Sequence, residues 1–176
     1  MNMSVKIAGV EFKNPVMEAS GTFGSGMEYS EFVDLSRLGA VVTKGVANVP
    51  WPGNPTPRIA ETYGGMINAI GLQNPGIDVF AKRDIPFLKK YDTKIVVNVC
   101  GKTTEDYIDV VERLGDEPVD MLEINISCPN VKEGQRVWQR ASDMPQNGMF
   151  DALCRLTCES NQILRSTVTT LPMISA

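Results

Sequence analysis

The sequence predicts an α/β fold built on a parallel sheet, and three observations support this prediction. Short apolar runs rich in β-branched residues recur along the chain, and glycine or small polar residues follow each of them. A helical pattern lies between two of these runs. The composition is that of a globular domain, because 43% of the 176 residues are hydrophobic and 22% are charged. Strands that alternate with helices form βαβ units, whose strands run parallel.

The predicted elements follow one another in a simple order. The opening stretch "SVKIAGVEF" predicts a short N-terminal hairpin. Four parallel strands are then predicted at residues 16–19, 41–44, 95–99 and 122–126. The stretch "TTEDYIDVVERLG" predicts a helix that Thr103 or Thr104 caps and that Gly115 ends. The apolar face of this helix comprises Ile108, Val111 and Leu114.

Residues 47–73 form a long connection that is rich in proline and glycine. It includes the stretches "GNPTPR" and "GGMINAIGLQN" and follows the second predicted strand. Connections of this length are uncommon in compact domains and are usually functional. We therefore expect this segment to contribute to a site.

Charge and hydropathy exclude several classes of function. The net charge of -4 and the isoelectric point near 4.9 argue against a surface for nucleic acid or for an anionic membrane. The sequence has no apolar run of the roughly 20 residues that span a bilayer. Its N-terminus lacks a basic-then-apolar signal pattern, which predicts a cytoplasmic protein.

The four cysteines do not have the paired spacing of a zinc site, and the sequence has no histidine. We predict free thiols in a reducing compartment and no metal. Proton transfer near neutral pH must then use a tuned thiol, a lysine or a carboxylate.

Polar residues stand at the carboxyl end of every predicted parallel strand. They are Ser20, Lys44, Asn98 and the set Asn125, Cys128 and Asn130. In β/α barrels and open α/β sheets this end carries the site. Amides offer both donors and acceptors, which suit a planar heterocycle with alternating carbonyl and N–H groups. Lys44 suits an anionic group on such a ring or an electron-rich cofactor.

Several long motifs together resemble the class 1 dihydroorotate dehydrogenases. They are "EASGTFGSG", "GNPTPR", "GGMINAIGLQNPG" and "NISCPNVK", in this order between residues 5 and 134. "GLQNPG" and "NISCPNVK" are most similar to the class 1B catalytic subunit. The resemblance implies the first half of a TIM-type β/α barrel that binds FMN and oxidises dihydroorotate to orotate in pyrimidine (UMP) biosynthesis. Class 1B members pair with a subunit that carries FAD and an iron–sulfur cluster and pass electrons to NAD.

The resemblance also implies a role for individual residues. Cys128 would be the base that removes a proton from C5 of dihydroorotate while hydride leaves C6 for the flavin. The residues expected to bind substrate are Lys44, Asn68, Ala69, Ile70, Gly71, Leu72, Asn125 and Asn130. Those expected to contact FMN are Ser20, Lys44, Gly45, Asn98 and Asn125.

The resemblance stops near residue 134, so the domain prediction divides the chain there. Residues 1–134 are the half-barrel, and residues 135–176 are a non-homologous, irregular tail. The family continues with a pattern close to G-x-A-F-G-x-x-P, and the codons of "GQRVWQRAS" read one base forward can spell part of it. Trp138 followed by Gln139 then forces a glycine codon. We expect a frameshifted, truncated member, and a true C-terminal extension is the competing interpretation.

Two alternatives to the family reaction stay open on the sequence. The first is a truncated, non-catalytic fragment that cannot hold FMN, because the family's later strands supply the phosphate site. The second, with less support, is a flavin domain similar to that of dihydropyrimidine dehydrogenase. A half-barrel also leaves strand edges and apolar faces uncovered, which predicts self-association.

Overall fold

The computed structural model of the chain describes residues 2–125 and the backbone of Ser166–Thr167. The predictions for Cys128 and Asn130 lie outside the described residues, as do those for the remainder of residues 135–176. The described residues form three sheets and several helices around one main core.

The strands of the described residues form one parallel sheet and two antiparallel hairpins. In chain order they are β1 Val5–Ile7, β2 Val10–Phe12, β3 Ala40–Val42, β4 Ile59–Thr62, β5 Gly65–Asn68, β6 Lys94–Val99, β7 Met121–Ile124 and β8 Ser166–Thr167. The parallel sheet has the order β3-β6-β7-β8, whereas β1 pairs with β2 and β4 with β5 in antiparallel ladders. The parallel sheet and the N-terminal hairpin confirm the predicted fold class.

The helices of the described residues are mostly short. In chain order they are α1 Ser20–Phe23, the 3-10 turns Tyr29–Glu31 and Leu35–Arg37, α2 Ile77–Val79, a π-helical turn Phe80–Asp84, α3 Ile85–Leu88 and α4 Thr104–Leu114. None of the helices in the described part of the chain is long and apolar enough to span a membrane.

The first predicted parallel strand, residues 16–19, does not form a continuous ladder. It makes a single parallel bridge, between Met17 and Ala40. Side chains take the backbone groups that a ladder would use. The Asn14 side-chain oxygen accepts from the Val16 N–H at 3.0 Å, and the Glu18 carboxylate accepts from the Val42 N–H. The parallel orientation of this segment was therefore predicted correctly, but its length as a strand was overestimated.

The other three predicted strands are present with shifted ends. β3 begins one residue before the predicted start and ends at Val42, two residues before Lys44. β6 matches the prediction within one residue, and β7 ends at Ile124. Beyond β7 the described part of the tail adds β8, two residues long and parallel to β7.

Helix α4 forms as its sequence predicts. Thr103 is the N-cap: its hydroxyl accepts from the Asp106 N–H at 3.3 Å, and the Asp106 carboxylate accepts from the Thr103 N–H at 3.1 Å. Ile108, assigned to the buried face, is half-buried. The buried stripe is Tyr107, Val110, Val111 and Leu114.

The two faces of the parallel sheet have different neighbours, because successive side chains of a strand point to opposite faces. One face packs against α4 and residues 77–88 in the main core, through Val41, Ile95, Val97, Val99, Leu122 and Ile124. The other is the inner face, where the hairpin residue Phe12 covers Ala40, Val42, Val96 and Met121.

The connection over residues 47–73 carries a hairpin that the sequence pattern did not predict. Strands β4 and β5 are exposed along their whole length. The ends of the connection are anchored, because Trp51 and Asn74 exchange backbone hydrogen bonds at 3.0 and 3.1 Å. Trp51 also packs with Ala47, Leu72 and Cys100 in a small buried cluster.

Candidate functional site

The inner face of the sheet changes from apolar to polar toward the carboxyl ends of its strands. Steps of two residues keep a side chain on the same face. From Val96 this step leads to Asn98, and from Met121 it leads to Glu123 and then to Asn125. A layer of polar side chains therefore lies on the inner face, closer to the carboxyl ends of the strands than the apolar residues that pack against Phe12. We call it the polar layer.

Asn98 is at the centre of this layer. Its side chain is almost fully buried, with 2% exposed. Its Nδ2 donates to Glu123 Oε1, and its Oδ1 accepts from Asn125 Nδ2 at 3.2 Å. Asn125 is itself held at its backbone, since its carbonyl accepts from the Tyr107 hydroxyl at 2.6 Å and its N–H donates to Val99 at 2.9 Å. The two amides are thus fixed relative to each other.

Gly45 is required because other groups approach its backbone closely. A Cβ at this position would lie 2.5 Å from Leu72 Cδ2, 3.1 Å from Asn98 Oδ1 and 3.3 Å from Cys100 Sγ. Leu72 reaches this place through a turn in which it and Gly71 both have positive φ, of 54° and 76°. The structure therefore brings Gly45, Leu72 and Asn98 together.

Ser20 and Lys44 are connected through the backbone. Ser20 begins α1, and Gly24, the residue after this helix, accepts from the Lys44 N–H at 2.8 Å. Both Ser20 and Lys44 are half-buried. The segment that carries Ser20 is therefore tied to the end of β3.

The predicted substrate residues before Leu72 lie along the exposed hairpin and its exit. Asn68 pairs with Ile59 at the end of β5. Asn54 holds the next two residues, because its side chain donates to the Ala69 carbonyl at 2.8 Å and its N–H donates to the Ile70 carbonyl at 2.9 Å. Asn68 and Ala69 are exposed, so they lie at the outer edge of the region and not in its buried part.

Two carboxylates of the polar layer were not predicted from the sequence. Glu123 accepts from Asn98, and Glu18 accepts from the Val42 N–H. The second oxygen of Glu18, Oε2, is buried and has no hydrogen-bond partner among the described residues. Each carboxylate stands two residues before a predicted site residue, Ser20 or Asn125. This step of two was the signal that would have found them.

The environment of Glu18 favours its protonated form. Burial raises the pKa of this carboxyl from 4.5 to about 7. The hydrogen bond from the Val42 N–H opposes the rise in pKa, and the negative charge of Glu123 adds to it. A carboxyl with this pKa exchanges its proton near neutral pH.

Among the described residues, the layer leaves hydrogen-bonding capacity for a ligand. Asn125 uses one N–H of its side chain on Asn98, so its Oδ1 and its other N–H remain. Asn98 Oδ1 accepts one hydrogen bond and has a second lone pair. This donor and acceptor set fits a planar heterocycle with carbonyl and N–H groups.

Comparisons with known proteins agree on one family. The family model described as dihydroorotate dehydrogenase matches residues 2–154. The dihydroorotate dehydrogenase B (NAD(+)) catalytic subunit of Lachnoclostridium phytofermentans is 75% identical over 134 residues, which are 76% of this chain and 45% of the relative. The protein of the same name from Alkaliphilus metalliredigens is 71% identical and covers 76% of this chain and 44% of its own length. The chain thus spans about half the length of the curated relatives it matches.

A solved structure has the same fold at low sequence identity. The crystal structure of DHODH from Eimeria tenella in complex with ferulenol superposes with a TM-score of 0.69 and 24% identity. The superposed region covers 90% of this chain and 44% of the Eimeria tenella chain. This similarity extends the fold assignment beyond the parallel sheet itself to the N-terminal half of a β/α barrel.

Proposed function

Because the chain belongs to the dihydroorotate dehydrogenase family, we propose that it acts in the oxidation of dihydroorotate to orotate with FMN. The reaction belongs to pyrimidine biosynthesis. Two relatives are named NAD(+)-dependent catalytic subunits, which supports a second subunit as partner. In this proposal the partner carries FAD and an iron–sulfur cluster and passes electrons to NAD. A cytoplasmic location stays a prediction.

The observation that carries the proposal is the convergence of Gly45, Leu72, Asn98 and Asn125 at the carboxyl ends of β3, β6 and β7. A Cβ added to Gly45 would lie 2.5 to 3.3 Å from Leu72, Asn98 and Cys100. Asn98 and Asn125 are joined by a hydrogen bond of 3.2 Å. Parallel sheets place their sites at this end. The residues come from four separate places in the sequence, so their meeting is a product of the fold.

The residues present fit FMN. Gly45 lets the chain pass close to the amide layer, since a Cβ there would fill the space between Leu72 and Asn98. The buried Glu18 oxygen that has no partner among residues 2–125 supports polar capacity in the layer beyond its internal hydrogen bonds. Residues proposed to hold FMN are Ser20, Lys44, Gly45, Asn98 and Asn125.

In the proposed reaction the chain's own residues bind, orient and deprotonate the substrate. Asn125 holds the pyrimidine ring through its remaining amide groups, together with Lys44, residues 68–72 and Asn130. Cys128, as a thiolate, removes the C5 proton and becomes a thiol. FMN, when bound, would accept the hydride that leaves C6, and the C5–C6 double bond forms. Leu72 and Gly45 exclude water from the buried side of the ring.

The thiol is tested with the purified chain, incubated with excess FMN and then with dihydroorotate in the absence of oxygen. Loss of the flavin absorbance reports hydride transfer. Cys128→Ser should slow this loss by about 10²–10⁴-fold, because a serine hydroxyl loses its proton far less readily than a thiol and so supplies almost no ionised base near neutral pH. Cys154→Ser is the matched control and should leave the rate unchanged. Equal, measurable rates for wild type and Cys128→Ser would remove Cys128 from the mechanism, whereas no flavin reduction by the wild-type chain would support the second candidate below.

A non-catalytic chain is the second candidate, and one observation favours it. The parallel sheet of the described residues has four strands, whereas a closed β/α barrel has eight. A flavin ring on the four described strands alone would meet one wall of a pocket. This candidate predicts that the isolated chain is colourless and silent in a dihydroorotate–dye assay. A yellow protein that reduces the dye in proportion to its concentration would reject this candidate and support catalysis by the chain itself.

A further inference from the structure

Two carboxyl groups, Glu18 and Glu123, lie in the polar layer beneath the proposed site. Glu123 is on β7 and accepts from the Asn98 amide. Glu18 is on the segment beside β3 and accepts from the Val42 N–H. The partner of Glu18 is a backbone N–H, which the strand holds in place. The partner of Glu123 is a side-chain amide, which can rotate. The orientation of Asn98 therefore depends on Glu123 staying where it is.

The surroundings provide little compensation for two negative charges. Glu18 Oε2 is buried without a hydrogen-bond partner in the described part of the chain. Lys44 follows the end of β3, two residues beyond Val42, and its ammonium makes no hydrogen bond or ion pair with either carboxylate in the described part of the chain. Lys94 lies at the other end of the sheet, where it pairs with Asp120 at 2.8 Å. A charge on Glu18 would thus repel Glu123 inside a partly dry layer.

We propose that Glu18 is a positioning residue: its protonated carboxyl limits the layer to one negative charge, which stays on Glu123 and holds the Asn98 amide. The Asn98 side chain then points Nδ2 toward Glu123 and Oδ1 toward Asn125. Loss of the Glu18 proton adds a second negative charge, and repulsion loosens the contact between Glu123 and Asn98. Orientation of both amides follows from the charge state of a residue that contacts neither of them through a hydrogen bond.

The electrostatics of the layer agree with this geometry. The pKa of Glu18 is raised to about 7, first by burial and to a smaller extent by the charge of Glu123. The amide layer should therefore be ordered below this pH and should loosen as the pH rises through it. The inference rests on the proposed function, because that function makes Asn98 and Asn125 ligand-binding residues.

The test follows the side-chain amide signals of Asn98 and Asn125 by ¹H–¹⁵N NMR between pH 5.5 and about 8.5, without any ligand. In the wild-type chain both pairs of signals should shift with a midpoint near pH 7. In Glu18→Gln, which is neutral at every pH, they should stay constant. Glu61→Gln, at an exposed position of β4, is the matched control and should titrate like the wild type.

A second variant keeps the test decisive if Glu18→Gln fails to fold. Glu123→Gln removes the neighbouring charge, so the Glu18 midpoint, read from its ¹³C carboxyl signal, should fall toward the ordinary value. An unchanged midpoint in Glu123→Gln, or the same amide titration in Glu18→Gln and wild type, would overturn the proposal. Because no ligand is present, these outcomes are independent of whether the chain binds FMN or dihydroorotate.

Discussion

Replacing Gly45 with alanine tests the closest contact in the candidate site. The new Cβ would lie 2.5 Å from Leu72 Cδ2 and 3.1 Å from Asn98 Oδ1. Carbon atoms pack best at about 3.5–4.0 Å, so Leu72 would have to move by about 1 Å. Leu72 is 7% exposed, and its positive φ follows that of Gly71, so its backbone has little freedom to follow. We expect a loss of about 1–3 kcal/mol in the free energy of unfolding.

The measurement is equilibrium unfolding in urea, followed by tryptophan fluorescence. Gly65→Ala is the matched control, because a Cβ there meets no atom within 4 Å and should leave the stability unchanged within about 0.5 kcal/mol. In a Leu72→Ala background the Gly45→Ala change should cost at least about 1 kcal/mol less, since the clashing methyl group is absent. If Gly45→Ala is as stable as wild type, the close approach of Leu72 and Gly45 is wrong.

Three further predictions concern the supports of the site. Thr103→Ala removes the cap of α4 and should cost about 1 kcal/mol in urea unfolding, whereas Thr103→Ser should restore it. Tyr107→Phe removes the hydroxyl that binds the Asn125 carbonyl and should cost about 1 kcal/mol, with amide shifts at Asn125; unchanged shifts would contradict this. The raised pKa of Glu18 means that the folded state binds the proton more tightly, so its contribution to stability is full below pH 4.5 and is lost as the pH rises through about 7. After allowance for solvent screening, the wild type should lose about 1–2 kcal/mol more of its free energy of unfolding over this pH range than Glu18→Gln does. Curves of unfolding free energy against pH that run parallel for the two proteins would refute this.

Local sequence patterns predicted the elements whose signals are local. Helix α4 has its capping residue and apolar stripe within one segment, and β6 is an uninterrupted apolar run. The first parallel strand was overestimated, because Asn14 and Glu18 side chains take hydrogen bonds that the ladder would use. The β4–β5 hairpin was missed because both of its faces are exposed, so it lacks the alternation that marks a half-buried strand.

The residues of the candidate site likewise divide into those that a local sequence pattern predicts and those that it does not. Lys44, Asn98 and Asn125 were predicted because polar residues at strand ends are visible in the sequence. The contact of Leu72 with Gly45 depends on a turn with two positive φ values, which no spacing rule provides. Glu18 and Glu123 lie inside the predicted strands, where a charged residue reads as a solvent-facing position. Their two-residue step from Ser20 and Asn125 places them on the inner face.

The central claim is that the inner amide layer at the carboxyl ends of the parallel strands faces the pyrimidine ring. The most direct measurement titrates the ¹⁵N-labelled chain with millimolar orotate and follows its side-chain amides. We expect saturable shifts at Asn125, and smaller ones at Asn98, whose Oδ1 accepts from the Asn125 amide. We expect none at Asn14, a buried asparagine near the amino end of β3 whose amide donates to the Arg37 carbonyl. Benzoate, which lacks the ring carbonyl and N–H groups, should cause no such shifts. Shifts at Asn14 in place of Asn98 and Asn125, or equal shifts with benzoate and orotate, would contradict the account.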